Sequence, residues 1–166
     1  MPASFKCLAA AAAAAAAFAL SVPAGAELLT HKDLSYDIAK TIAEGALADC
    51  KARGYNTSVV VVDRDGETLI AMRYDNASPH TMENARRKAY TARTFQRPSA
   101  ETAKMLQSGN PTVSQQITLP GMIAIPGGVP IKVGNDTIGG VGLSGSPGVD
   151  EPCVQAGIDK VKDQLK

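Results

Sequence analysis

Residues 122–148, MIAIPGGVPIKVGNDTIGGVGLSGSPG, decide how the rest of the chain is read. Two β-branched runs, Gly128–Val133 and Thr137–Leu143, flank Gly134-Asn135-Asp136, a cluster of the kind that closes a hairpin. Pro126-Gly127-Gly128 and Gly145-Ser146-Pro147-Gly148 break the chain on either side. In the second run Gly139, Gly140 and Gly142 are interleaved with Ile138, Val141 and Leu143. Glycine weakens a strand, so this density marks a bulge or a surface that something approaches closely. Two occupants fit: a helix packed tightly on a central hairpin, or a ligand facing the sheet.

Working outward toward the N-terminus, two more strands are expected at Ser58–Asp63 and Glu67–Arg73, joined by Arg64-Asp65-Gly66. Val59–Val62 is apolar on both faces and reads as a central strand. Helices surround these hairpins. Leu34, Ile38, Ile42, Ala46 and Cys50 recur at helical spacing, which predicts a helix over Lys32–Arg53, begun by a Thr30/Asp33 capping box and ended by Gly54. Ser78-Pro79 opens a second helix through His80–Phe95, with Met82, Ala85, Ala89 and Ala92 as its buried stripe. On it Arg86, Arg87, Lys88 and Arg93 read as a solvated basic face. Pro98-Ser99 starts a shorter, serine-capped helix over Ala100–Gln107, and Ser108–Pro120 reads as a surface loop. A last helix is expected over Val149–Leu165, with acidic residues first and lysines last, as the helix dipole favours. Hairpins alternating with helices make an α+β fold with an antiparallel sheet.

The first 26 residues read as a signal peptide. Lys6 is the basic start, Cys7–Leu20 is an alanine-rich apolar run, and Ala24-Gly25-Ala26 matches a cleavage site. The remaining 27–166 make one domain, expected to be periplasmic or secreted and without a membrane span. Lys6 is one of 17 basic residues against 16 acidic, so the mature chain is neutral, which argues against nucleic acid as a partner. Cys50 and Cys153 are the cysteines left after cleavage, and in an oxidising compartment an even pair predicts a disulfide; two buried free thiols are the alternative. If the first and last helices pack antiparallel on one sheet face, the two cysteines come within bridging distance.

Chemistry-bearing motifs are scarce. There is no phosphate-binding Gly-Lys motif, no G-x-S-x-G elbow and no H-E-x-x-H. Ser144 has no base near it in sequence. His80 stands out as one of two histidines, at an expected helix start. The positive end of a helix dipole disfavours a cation there, and iron takes the neutral imidazole. A helix-start histidine with a local hydrogen bond is the plainer alternative.

The runs PHTMENARRKAYTARTF at 79–95 and MIAIPGGVPIKVGNDTIGGVGLSGSPGVDEPCVQAG at 122–157 resemble the GlcG/HbpS family of haem-binding or haem-degrading domains, which includes the C-terminal domain of PduO-type proteins. The likeness extends through the first helix and VVVVDRDGETLIAMR. It implies a profilin-like three-layer arrangement, an antiparallel sheet of about five strands flanked by helices, assembled into a homo-oligomer. It also implies haem as the cofactor, with His80 as the iron ligand, Arg86 or Arg87 pairing with the propionates, and Met72 and Met122 as apolar walls. The expected function is therefore an exported haem-binding protein for storage, scavenging or redox sensing. An enzyme or binding protein for a small organic acid such as glycolate is the first alternative, and an accessory oligomer without a ligand the second.

Overall fold

The computed structural model describes residues 27–166, of which Lys32–Lys166 form one compact unit. The expected signal peptide, residues 1–26, lies outside the described residues. The elements are α1 (Tyr36–Ala52), β1 (Ser58–Val62), β2 (Thr68–Arg73), α2 (Thr81–Phe95), α3 (Ser99–Gln107), α4 (Pro111–Gln116), β3 (Gly128–Val133), β4 (Asp136–Ser144) and α5 (Asp150–Asp159). The strands form one antiparallel sheet in the order β2-β1-β4-β3, four strands where about five were expected.

Strand alternation gives the sheet two unlike faces. Val59, Val61, Val141 and Leu143 point to the larger core, shared with α1 and α5. Val60 and Val62 point to the other face and meet Ala85 and Ala89 of α2. On this second face β4 offers Gly140 and Gly142, and α2 lies directly on them. A Cβ on Gly142 would collide with the Ala85 carbonyl oxygen, and one on Gly140 with that of Ala89. The glycine-rich strand is thus a bed for a helix, the first of the two occupants its composition admits. Gly128 of β3 continues it: a Cβ there would collide with the Lys88 carbonyl oxygen.

On the other face α1 and α5 run antiparallel. Gly157 of α5 sits on the Ile42 carbonyl and Ala46 of α1. One end of this crossing carries the Cys50–Cys153 disulfide, with a Cα–Cα separation of 5.4 Å and both residues fully buried.

Several boundaries differ from expectation, for local reasons. Helix α1 begins at Tyr36, not Lys32, because Ser35 accepts from the Ile38 N–H (3.3 Å) while the Asp33 carboxylate takes the Arg64 guanidinium (3.0 Å). Its far end is as expected: Gly54, at φ +87°, follows the last turn, and the Gly54 and Tyr55 N–H groups donate to Lys51 and Cys50. β1 stops at Val62 because the Asp63 carboxylate accepts from the Asp65 and Glu67 N–H groups, closing the turn. Asn110 and Pro111 start a short helix, α4, inside the expected 108–120 loop. α5 ends at Asp159, well before Leu165. There the Lys160 and Val161 N–H groups reach back only three residues, a tightened final turn.

Candidate functional site

The α2-facing side of the sheet changes character toward the start of α2. Beyond Gly140 and Gly142 the next inward position on β4 is Ser144, and beyond Val62 and Val60 the next on β1 is Ser58. Ser58 is covered by the first helical residue, Thr81, at 2.7 Å between hydroxyls. Ser144 is not covered. It opens into a cleft of about 490 Å³ between the start of α2, the 125–126 segment and the 144–150 turn. That volume is within the usual range for a small-molecule site.

His80 stands at the rim. The helix starts two residues later than expected, so His80, not Ser78, occupies the capping position, without a capping hydrogen bond. The Ser78 hydroxyl does not cap either; the Ser78 carbonyl accepts from the Thr81 N–H and hydroxyl instead. The exposed imidazole makes no hydrogen bond to any described residue and projects at the cleft mouth. Asn84, one turn on, lines the same cleft, and Ile125, Pro126 and Pro147 give it an apolar wall.

The floor holds a buried ion pair that the sequence reading missed. Lys88, read as part of a solvated face, is 2% exposed. Lys88 Nζ donates to Asp150 Oδ2 at 2.7 Å and to the Leu143 carbonyl at 3.0 Å. Asp150 Oδ1 accepts from both the N–H (2.9 Å) and the hydroxyl (2.7 Å) of Ser146. Ser146 Oγ in turn lies 3.1 Å from Cys50 Sγ, so this network runs from cleft floor to disulfide. Next door, Glu151 Oε1 accepts from the Ala100 and Gly127 N–H groups, and Ser99 donates to the Ile125 carbonyl while accepting from the Gly128 N–H. Ser99 is therefore a strut for the cleft wall, not the cap of α3 that was expected. Lysine and aspartate 62 residues apart carry no local signal that they meet.

The remaining candidates sit elsewhere. Arg86 is engaged by Glu83 through two hydrogen bonds, which hold the Glu83 carboxyl below its ordinary range. Arg87 donates to the Met122 carbonyl, and Met122 is buried with its sulfur 3.9 Å from Thr91 Oγ1. Arg87 and Met122 are thus brought together, but neither they nor Arg86 line the cleft with His80. Met72, on β2, packs against the core on the opposite sheet face. Among the described residues no cluster of three or more histidine, cysteine or acidic side chains is placed to hold a metal, and no helix is long and apolar enough to cross a membrane.

The sequence model of the family described as "Haem degrading protein HbpS-like" matches residues 34–159. The chain belongs to this HbpS-like family. Among solved structures, this HbpS-like chain is similar to a double mutant of Streptomyces reticuli HbpS, at 32% identity and a TM-score of 0.76, covering 82% of this chain and 92% of that one. Protein GlcG of Escherichia coli K12 is 28% identical over 111 residues, which is 67% of this chain and 81% of GlcG. PduOC, solved as a complex with haem, shares the fold at 23% identity and a TM-score of 0.70, covering 77% of this chain and 94% of that one.

Proposed function

We propose that this HbpS-like protein is exported and binds haem at the cleft, for storage, scavenging or redox sensing, with His80 as the iron ligand. The unpaired imidazole at the cleft rim carries this reading. A histidine nitrogen is an ordinary ligand for haem iron, and bound haem would supply a redox-active iron centre. The donor set fits one such ligand: an uncommitted imidazole beside the apolar surfaces of Ile125, Pro126 and Pro147. Because the His80 side chain carries no structural hydrogen bond, it is free to meet a metal without loosening α2. Export is supported by the sequence of residues 1–26 and agrees with the Cys50–Cys153 bridge, since such bonds persist in oxidising compartments. Among the described residues no nucleophile with a base in hydrogen-bond reach lines the cleft, so the reading is one of binding.

The test is an absorbance titration of the purified 27–166 chain with haemin, alongside His80→Ala. Saturable binding that the substitution weakens is the expected result. Binding indifferent to His80→Ala removes the ligand assignment, and absence of any Soret change removes the haem reading.

A further inference from the structure

Ser144 poses a separate question. It is 5% exposed, lies on the inward face of β4, and lines the cleft, yet its hydroxyl has no hydrogen-bond partner among the described residues. Among the described residues, the hydroxyls sealed without a partner belong to Thr57, Thr102 and Thr137; that of Ser144 is not one of them and opens to the cleft, available to a ligand. Beside it, Lys88 also faces the cleft. An ammonium has three donors, and the partners of Lys88 Nζ are two: Asp150 Oδ2 and the Leu143 carbonyl, the peptide that leads into Ser144. Above both stands the start of α2, a helix of 15 residues whose first N–H groups and dipole favour an anion.

We propose that the floor of the cleft is a carboxylate-binding subsite, in which Ser144 Oγ and the third Nζ–H of Lys88 donate to one carboxylate group and Asn84 borders it. The charge balance selects a monoanion. Asp150 already neutralises Lys88, so the net attraction is the helix end plus the hydroxyl, and a dianion such as phosphate would stand against the Asp150 carboxylate. Both Asp150 oxygens are already engaged, Oδ1 by Ser146 and Oδ2 by Lys88. A carboxylate reaches this floor from either of two sources: a propionate of haem held at the rim, or a free small carboxylic acid. The subsite does not depend on His80 binding iron.

The experiment is a backbone-amide NMR titration of the 27–166 chain with sodium acetate at constant ionic strength, for the native sequence and for Ser144→Ala. It is paired with absorbance titrations of haemin and haemin dimethyl ester. Acetate is expected to shift the amides of Asn84, Ser144 and Gly145 saturably, and Ser144→Ala to weaken it on the order of tenfold, the worth of one hydrogen bond to a charged group. Haemin binding tighter than its ester, in competition with acetate, identifies the propionate as the source. Acetate binding with haemin and ester alike, or with no haemin binding at all, identifies a free acid. Absence of saturable acetate shifts together with equal binding of haemin and ester overturns the subsite, even where the haem reading survives. So does acetate binding unchanged in Ser144→Ala, or phosphate binding more tightly than acetate. The alanine removes only an unpaired hydroxyl, so the variant keeps the fold, and an unchanged Tm verifies it.

Discussion

Replacing Lys88 by methionine tests the physical account of the cleft floor. Lys88 and Asp150 side chains are 2% and 9% exposed, and their charged atoms meet at 2.7 Å. Methionine fills nearly the same volume but leaves Asp150 Oδ2 buried without its counter-charge, while Oδ1 keeps both bonds from Ser146. Removing one partner of a buried pair costs about 3–5 kcal/mol, most of it the stranded charge. For a domain of this size that is a fall in Tm of about 10–15 °C. The assay is urea unfolding of the 27–166 chain and of Lys88→Met, Asp150→Asn and the double variant. The amide introduced by Asp150→Asn keeps an acceptor for Ser146 without a charge. The double variant should therefore be less damaged than the sum of the singles, with a coupling of about 2–3 kcal/mol. Single variants that each cost under about 1 kcal/mol and simply add would mean that water reaches the pair, and would refute the buried-floor argument.

Other outcomes follow from the packing. Gly142→Ala drives a methyl group into the Ala85 carbonyl and the Ala89 N–H, so it should destabilise by about 1–3 kcal/mol by overpacking; unfolding that matches the native curve would mean α2 sits farther off. Non-reducing peptide mapping should recover Cys50 joined to Cys153, and reduction should lower stability by about 4–5 kcal/mol, as expected for opening a loop of 103 residues; free thiols in the oxidised protein would contradict it. The Glu83 carboxyl, held low chiefly by its hydrogen bond from Arg86, should titrate by NMR below an ordinary glutamate. Its folded value is depressed, so the stability it lends is present above the unfolded value and is lost as pH falls through the folded one. Both groups are well exposed, so Glu83→Gln should remove less than about 1 kcal/mol, a difference seen above that acid limb and gone below it.

Local signals placed the helices and both hairpins, because periodicity and turn chemistry are written in neighbouring residues. Gly54, Arg64-Asp65-Gly66 and the Gly134-Asn135-Asp136 turn announced themselves in this way. Two of the misread helix starts share a cause, a polar side chain taken by a distant partner: Asp33 by Arg64 and Ser99 by the 125–128 segment. The site was half legible. His80 was singled out by its expected helix-start position, and it lines the cleft. Lys88 and Asp150 were missed because each looks ordinary alone: one more lysine in a basic run, and an acidic residue in a helix's first turn. The signal that was present lay in spacing. Lys88 falls three residues after Ala85 and one before Ala89, the two alanines that face the sheet, so it belongs beside the buried stripe. Arg86 and Arg87 were chosen for their charge, and their partners, Glu83 and the Met122 carbonyl, are invisible without the fold.

The disulfide joins the end of α1, before the first strand, to the first turn of α5, after the last. All four strands therefore lie inside one covalent ring. The covalent path of tension applied between Lys32 and Lys166 passes from α1 to α5 through the sulfur bridge and bypasses the strands. A single oxidised molecule stretched by its ends should yield only the segments outside Cys50 and Cys153. After reduction, the same pull should release a further 103 residues, about 350 Å of contour at roughly 3.4 Å per residue, and only then would the sheet and its cleft bear load.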